Sequence, residues 1–395
     1  MDKKTIDEEI SETLKVLVNK WKEEGLSEQE VSDKIKNFDR DKALTDIINL
    51  NVKERLDYFN THMYEMAHER KVITYHVIAH QEELWGKCFA ASDTMYTMAV
   101  EAAVLLSEYV DSKVDEEKRK SKQYTFLALQ HMHGRICQQF LEIMYLLKLG
   151  FADGAYARWR SMYELCCCME FLKKAGEITA KKYYDHSESP TRKFEWASGI
   201  TKKNGKTTIG NSFSEIQEFS ELNPLWKKQY DLACWICHPS PQGTFKRLSN
   251  GEGMNHVPIG HSDYGIAMPA VHAAMMLNIA SAIFLTIHNN ADSIVHTKTM
   301  NEWVKVICKM YYTTHAEVFD EPSLLPYTII KIEDEDYGCE GVPEGEELQC
   351  NVLVKNEFGE ERWIKLTDKY LIDNNLNEGE IIMLPFEKSK EMADE

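Results

Sequence analysis

The chain has 395 residues and a formal net charge of −18, with 43% hydrophobic and 28% charged residues. This length and composition are typical of a globular protein that buries its core without disulfide or metal staples. The negative charge repels phosphate backbones, which disfavours DNA and anionic membranes as partners and leaves only a small basic surface open to RNA. The stretch MDKKTIDEEISETL lacks an apolar signal segment, so we expect a cytoplasmic protein whose ten cysteines remain thiols.

The N-terminal part of the chain carries two helix-start signals. Thr5 with Glu8, and Ser27 with Glu30, fit the capping box, in which a hydroxyl and a carboxylate each accept a backbone hydrogen bond. Apolar residues at intervals of three and four follow Thr5, and Gly25 predicts the end of that first helix. Further helical patterns cover residues 53–68, 72–111, 121–148, 152–175, 214–222, 225–237 and 268–289.

A short break divides two of these helical patterns. In LKLGFADGAYA, Gly150 has the character of the residue that follows a helix, and Asp153 that of the cap of the next helix. Two long helices joined by so short a loop pack as an antiparallel hairpin. Residues 186–213 and 239–269, rich in glycine, proline and small polar residues, are predicted loops.

One apolar run, AMPAVHAAMMLNIASAIFLTI at residues 267–287, is about as long as a membrane span. It contains Pro269, His272 and Asn278, which are costly in lipid, and it has no lysine or arginine at either flank. We therefore interpret the run as a buried core helix.

The texture changes after about Glu321, where short runs of β-branched and alternating apolar residues are separated by turn signals. The sequence thus predicts a mainly α protein, a multi-helix bundle with long N-terminal helices and a small C-terminal antiparallel β domain, α+β overall. The predicted organisation is an N-terminal helical region at 1–120, a helical core domain at 121–315 and a small acidic β-rich domain at 322–390.

The sequence Cys234-Trp-Ile-Cys237-His238 has the form of a c-type haem attachment motif. On a helix, Cys234 and Cys237 lie one turn apart and could bind zinc with His238 as a third ligand. A structural zinc site needs four ligands, and the chain has no second pair of this kind. The alternatives are buried thiols that flank Trp235, a zinc site, and haem or redox chemistry.

Charged residues also lie among the apolar residues of the predicted hairpin. Arg160 and Glu164 are four residues apart, so they share one helix face and can pair, with Arg158 close by. Such a pair is either a structural lock between the helices or the floor of a polar site. On the first helix of the hairpin, His131, Arg135 and Glu142 fall near one stripe, next to His133.

The stretch CHPSPQGT follows an apolar helix. The helix dipole favours a cationic His238 at this C-terminal position, where it can act as an acid, a base or a phosphate contact. It can equally serve as a capping side chain.

Three segments together resemble the prokaryotic domain of unknown function 5677 family: EIMYLLKLGFADGAYARWRSMYEL, KFEWASG and LWKKQYDLACWICHPSPQGTF. The resemblance covers residues 125–290 and implies an all-helical domain in which Arg160, Glu164 and His238 converge, with no agreed activity. It rests on the His-Pro-Ser and not on the two cysteines, which disfavours haem. The family pattern is met by Gly150, Arg160, Glu164, Tyr230, His238, Pro239 and Ser240.

Similar helical domains of prokaryotic conflict systems include the HEPN ribonucleases, whose site is an arginine followed after four to six residues by a histidine. Arg70 and His76 have this spacing, but one such match is expected by chance. The chain shows no nucleophile elbow, Walker loop or dinucleotide motif, so we expect no cofactor.

The first hypothesis is a self-associating binding or sensor protein of a conflict or defence type, whose β domain contacts a protein partner. Its polar pocket contains Arg160, Glu164 and His238, with the binding residues Arg158, Arg135, His133, Tyr230 and Ser240. The alternatives are a metal-independent ribonuclease, in which His238 is the acid or base and Arg160 stabilises the phosphate, and a zinc-binding structural protein.

Overall fold

The computed structural model describes residues 6–191, 193–201, 205–223, 225–250, 259–320, 324–334, 347–356 and 359–385. The chain divides into two compact units, Met1–Tyr75 and His76–Glu395. One helix runs through the boundary between them.

The first unit begins with α1 (Ile6–Glu23) and α2 (Glu28–Lys36). The predicted capping box at Ser27 is confirmed, because the Glu30 carboxylate accepts a hydrogen bond from the Ser27 backbone N–H at 2.8 Å. Gly25 has a positive φ of 85° and follows α1 as predicted. The predicted cap at Thr5 lies outside the described residues.

The third helix, α3 (Arg40–Lys113), is continuous where the sequence predicted two helices, at 53–68 and 72–111. The gap between those patterns contains Glu69, Arg70 and Lys71, which are good helix formers and carry no break. The buried residues of α3 begin at Gln81, within the second unit, and they pack into the core of that unit.

The second unit is built on helices whose bounds largely match the sequence patterns. The helix α12 was not predicted, although Met300, Val304, Ile307 and Tyr311 follow helical spacing and are buried. The helices after α3 are α4 (Glu116–Ser121), α5 (Gln123–Lys148), α6 (Ala152–Ala175), α7 (Glu177–Asp185), α8 (Phe213–Ser220), α9 (Leu225–Cys237), α10 (Pro241–Phe245), α11 (Ala267–Leu285) and α12 (Ala291–Phe319).

The helices α5 and α6 form the predicted antiparallel hairpin. Gly150 has a positive φ of 72°, and a Cβ at this position would lie 2.7 Å from the carbonyl oxygen of Ser262. Glycine is required there for both reasons.

The prediction that Asp153 caps α6 was wrong. The helix begins at Ala152, one residue earlier, so Asp153 lies inside its first turn. Its carboxylate instead accepts hydrogen bonds from the backbone N–H of Leu248 at 2.8 Å and from the Ser249 hydroxyl. This aspartate therefore anchors a distant turn to the start of α6.

The apolar helix α11 packs against α5, α6 and α12. It is long and apolar enough to cross a bilayer, yet 78% of its most apolar window is buried among the protein's own residues. The Trp159 indole N–H donates a hydrogen bond to the carbonyl oxygen of His272 on this helix at 3.0 Å. These contacts agree with the interpretation of the run as a core helix.

The C-terminal segment forms an antiparallel four-stranded sheet in the order β3-β2-β1-β4. Ile332 lies opposite Val352, and the buried Val352 and Val354 alternate with partly exposed neighbours. The predicted α+β fold class is confirmed. The elements are β1 (Leu324–Asp334), β2 (Gln349–Asn356), β3 (Glu361–Thr367), α13 (Asp368–Asp373) and β4 (Ile381–Pro385).

Candidate functional site

A cleft of about 890 Å³ opens between α5, α6 and the short turn that follows α7. Its apolar wall includes Leu127 and Met132 from α5 and Leu165 from α6. Two tyrosines of α7, Tyr183 and Tyr184, form the opposite wall. The cleft thus combines apolar and aromatic surface, as small-molecule sites generally do.

One arginine and two histidine side chains line this cleft. His131 and Arg135 lie one turn apart on α5 and therefore on the same face of that helix. His186 comes from the single turn of 3₁₀ helix, His186–Glu188, that follows α7. The polar groups of the site thus come from elements that are about 50 residues apart in sequence.

Glu177 sets the position of α7 against α5. Its carboxylate accepts hydrogen bonds from the backbone N–H groups of Tyr124 and Thr125, at 2.7 and 3.0 Å, and so caps the N-terminus of α5. Gly176, with a φ of 83°, permits the sharp change of direction between α6 and α7. The two walls of the cleft are held in register by this cap.

The electrostatic character of the cleft is basic. Arg135 forms no ion pair and no hydrogen bond with the described part of the chain, and the buried Nε2 of His186 has no hydrogen-bond partner there. The described residues that line the cleft include no carboxylate. Burial raises the pKa of Tyr183 to about 12, against the opposing effect of the nearby Arg135, so Tyr183 stays a neutral donor.

Arg160 and Glu164 form the pair that their spacing predicted, and Tyr230 joins them from α9. The Arg160 Nε lies 3.1 Å from a carboxylate oxygen of Glu164, and the Tyr230 hydroxyl donates to the same oxygen at 2.8 Å. The Arg160 guanidinium also lies 5.4 Å from the Tyr230 ring centroid. Burial and the adjacent carboxylate raise the pKa of Tyr230, which keeps it a neutral donor.

Two other predicted binding residues hold the bundle together. Arg158 pairs with Glu142 and so connects α6 to α5. His133 is buried, with its Nε2 2.9 Å from the Ser281 hydroxyl and its ring stacked on Phe284. Burial lowers the pKa of His133 to about 4, so its imidazole is neutral at physiological pH.

The His-Pro-Ser stretch is a corner between α9 and α10. The Ser240 hydroxyl accepts a hydrogen bond from the Gly243 backbone N–H and donates one to the Trp235 carbonyl, each at 3.0 Å. A Cβ on Gly243 would lie 2.0 Å from that carbonyl oxygen, which explains the glycine. The side chain of His238 is exposed and makes no hydrogen bond or ring contact with Arg160 or Glu164 among the described residues.

The cysteines show no metal-binding arrangement within the described ranges. Cys237 is exposed and Cys234 half-buried, and no group of three or more potential ligands occurs among the residues that the structure describes. Cys167 is buried, and burial raises the pKa of its thiol to about 11. At neutral pH this cysteine is a protonated core residue.

The cleft is formed entirely by side chains between positions 127 and 187. Residues 126–194 match the sequence model of a family of unknown function, DUF5677. The predicted resemblance is confirmed for this DUF5677 segment, which contains Gly150, Arg160 and Glu164; Tyr230 and the His-Pro-Ser corner lie beyond it. A search of curated proteins and a search of solved structures each found no match.

Sequence reasoning found part of this site. It grouped His131 and Arg135 on one stripe of α5, and the structure places both in the cleft. It missed Tyr183, Tyr184 and His186, which stand where a helical pattern gives way to a polar loop. Two tyrosines followed closely by a histidine, YYDH, could have indicated a binding site. Only the packing of α7 on α5 shows that these residues line the cleft.

Proposed function

We propose that the DUF5677 segment is a binding module whose cleft takes a small organic anion with an apolar or aromatic body. The observation that carries this proposal is an Arg135 without an ion-pair partner among the described residues, beside His131 and His186 in a cleft that these residues line without a carboxylate. A guanidinium and two imidazoles are suitable donors for a phosphate, sulfonate or carboxylate group.

The buried nitrogen of His186 supports the same proposal. A buried polar atom without a partner costs about 1–3 kcal/mol, so a ligand acceptor within reach would recover that free energy. The neutral hydroxyl of Tyr183 offers a further donor. The rings of the two tyrosines and the apolar side chains of α5 suit the body of the ligand.

The basic cleft contrasts with the negative charge of the chain as a whole. With a net charge of −18, most of the surface repels anions, and long-range attraction does not recruit them non-specifically. A ligand that binds must therefore gain its affinity from the side chains of the cleft. In this proposal the chain is a cytoplasmic binding or sensor protein of a prokaryotic conflict system, a setting proposed on the family resemblance alone.

The proposal moves the site away from Arg160, Glu164 and His238. One carboxylate oxygen of Glu164 already accepts hydrogen bonds from both the Arg160 Nε–H and the Tyr230 hydroxyl, so these residues bind one another across two helices. This network fits a structural lock between α6 and α9 better than a pocket floor.

The test uses two dyes that differ by one charged group. The anionic dye 8-anilinonaphthalene-1-sulfonate and its neutral analogue N-phenyl-1-naphthylamine both fluoresce in apolar sites, and only the first carries a sulfonate. We expect the anionic dye to have one tight, saturable site per chain, and the variant Arg135→Ala should weaken binding at that site about tenfold, or about 1.4 kcal/mol. Binding of the neutral dye should stay unchanged.

The matched control is Lys182→Ala, which removes the same charge from an exposed position of α7 outside the cleft. Because both dyes also bind other apolar surface, the comparison rests on the difference between variants. Equal losses for both dyes in Arg135→Ala, or equal effects of the two substitutions, would contradict the proposal.

The alternative function is a metal-independent ribonuclease with His238 as the acid or base and Arg160 as the phosphate contact. One support is the exposure of His238. A second is that the positive charge of Arg160 opposes the rise in the pKa of Cys234 that burial causes, which places Arg160 near a residue one helical turn before His238. RNA cleavage by the folded wild type that survives a chelator and vanishes in His238→Ala would favour this alternative. Absence of cleavage would leave the binding module.

A further inference from the structure

The first unit carries an exposed apolar stripe along α3. Val52, Leu56, Phe59, Met63, Met66 and Ile73 follow intervals of four and three residues, interrupted once by Arg70. We call these six residues the α3 stripe. Leu56, Phe59 and Met63 expose 56%, 54% and 49% of their surface, which is about half of three large apolar side chains.

This part of α3 has no packing of its own to stabilise it. None of residues 40–75 is buried, although this stretch is helical throughout. Helices gain most of their stability from the packing of an apolar face, and an isolated helix is marginal in water even with favourable residues. A stable helix in this part of α3 therefore requires a partner that buries the stripe.

We propose that a second copy of this chain covers the α3 stripe and that the two copies form a two-stranded coiled coil. The alternation of four- and three-residue intervals is the repeat at which two helices wind around each other with interlocking side chains. A partner helix must share this repeat along its whole contact, and a second α3 does so by construction. The stripe is also narrow, as in a coiled-coil seam.

The charges of the segment favour self-association. Residues 52–73 contain four acidic and four basic residues, so this segment is neutral in a chain whose net charge is −18. Two copies therefore meet here without the repulsion that the rest of the surface imposes. Arg55 and Glu69 flank the seam with opposite charges and can pair between two antiparallel copies.

The contact is long enough for a stable dimer. Twenty-two residues of helix span about 33 Å, and two helices joined over that length cover on the order of 600–800 Å² on each copy. Each side chain of the stripe contributes about 1.5–3 kcal/mol when fully buried. Because these side chains are already half buried in a single chain, dimer formation would add about half of that free energy for each.

Arg70 is the one long polar side chain within the repeat. A polar residue at a seam position lowers the stability of a coiled coil and restricts its register. The variant Arg70→Leu removes the charged break and extends the stripe from Met66 to Ile73. It should therefore lower the dissociation constant of the dimer.

The experiment measures the mass of the full chain by analytical ultracentrifugation at micromolar concentration. We expect wild type at about twice 45.8 kDa, and the double variant Phe59→Glu/Met63→Glu at the mass of one chain. The control is Tyr64→Glu, which adds a charge at a position 79% exposed and outside the stripe, and should stay dimeric. Circular dichroism would verify that each variant keeps its helices.

Two outcomes would overturn the proposal. The first is a wild type that stays monomeric, and the second is a double variant that stays dimeric. If the monomeric wild type also floats with vesicles of phosphatidylserine and phosphatidylcholine, the stripe lies on a membrane instead. Tighter association of Arg70→Leu would support the seam directly.

Discussion

The carboxylate of Glu177 accepts a hydrogen bond from the backbone N–H of Thr125 at 3.0 Å and a second from the Thr125 hydroxyl at 2.8 Å. These two residues are 52 positions apart, yet Glu177 caps the helix whose first turn contains Thr125. Because α5 and α7 form two walls of the basic cleft, this cap fixes the width of the site. Loss of this contact should therefore lower the stability of the fold and also weaken ligand binding in the cleft.

Removal of this cap should affect both properties. We expect Glu177→Ala to lower the free energy of unfolding by about 1–2 kcal/mol, since it leaves backbone N–H groups of α5 without their acceptor. The same variant should weaken binding of the anionic dye, because α7 loses its attachment to α5. Urea unfolding and dye titration measure the two effects. The control Glu188→Ala, an exposed carboxylate in the turn after α7, should change neither one.

The network of Arg160, Glu164 and Tyr230 predicts strongly coupled mutational effects. Arg160→Ala should cost about 1–2 kcal/mol and Tyr230→Phe about 1 kcal/mol, because each loses a hydrogen bond to the same carboxylate oxygen. In the double variant the two losses should not add, since the residues share one partner. Thermal unfolding of the four proteins of this cycle measures the coupling. Additive losses would mean that the pair acts independently.

The buried His133 predicts a loss of stability in acid. Burial lowers its pKa from 6.5 to about 4, so the folded chain resists a proton that the unfolded chain accepts. Between these two values the unfolded state binds more protons, and stability falls as the pH drops from about 6.5 to about 4. The contribution of His133 to this loss is about 3 kcal/mol, since one pKa unit corresponds to about 1.4 kcal/mol.

The test of this pH dependence is urea unfolding between pH 7 and pH 4. His133→Gln should flatten the decline, because glutamine can bond to Ser281 but does not titrate in this range. His68→Gln, at an exposed position of α3, should keep the wild-type slope. The buried His272, whose pKa burial lowers to about 3, should contribute a decline at least as large as that of His133, so His133→Gln should remove about half of the wild-type decline.

Two glycines predict opposite effects of the same substitution. Gly134 lies in the interior of α5 and a Cβ there would meet no atom within 4 Å, so Gly134→Ala should stabilise the chain by about 0.5–1 kcal/mol. Gly243→Ala should destabilise it, because its Cβ would lie 2.0 Å from the Trp235 carbonyl oxygen. Melting temperatures of the two variants, which carry identical chemistry, provide the comparison.

Sequence patterns predicted most of the helices because their signals are local. The bounds of α6 and α9 agree with the patterns at 152–175 and 225–237, since glycines and prolines stand at their ends. One pattern failed because the deciding contact was tertiary. Asp153 has the chemistry of a helix cap, but its carboxylate is bound by a distant turn at residues 248–249.

The sequence predicted only the α5 residues of the candidate site, for the same reason. His131 and Arg135 share a helix face, so their proximity follows from helical spacing alone. Whether Arg135 faces a carboxylate or an open cleft depends on how α7 packs, and the cap by Glu177 decides that. The spacing of Arg160 and Glu164 correctly predicted a pair, whereas the hydroxyl of Tyr230 that completes their network comes from another helix.

The sequence by itself determined the fold class, the hairpin of α5 and α6, the core position of the apolar helix and the change to strands near residue 324. These features depend on the period of apolar residues and on residues with restricted backbone conformations, and both are properties of short segments. Only the tertiary structure decided which polar groups satisfy one another and which remain free for a ligand. The physical reason is that a side chain's hydrogen bonds and solvation are set by whatever packs against it, and here those neighbours are dozens of residues away.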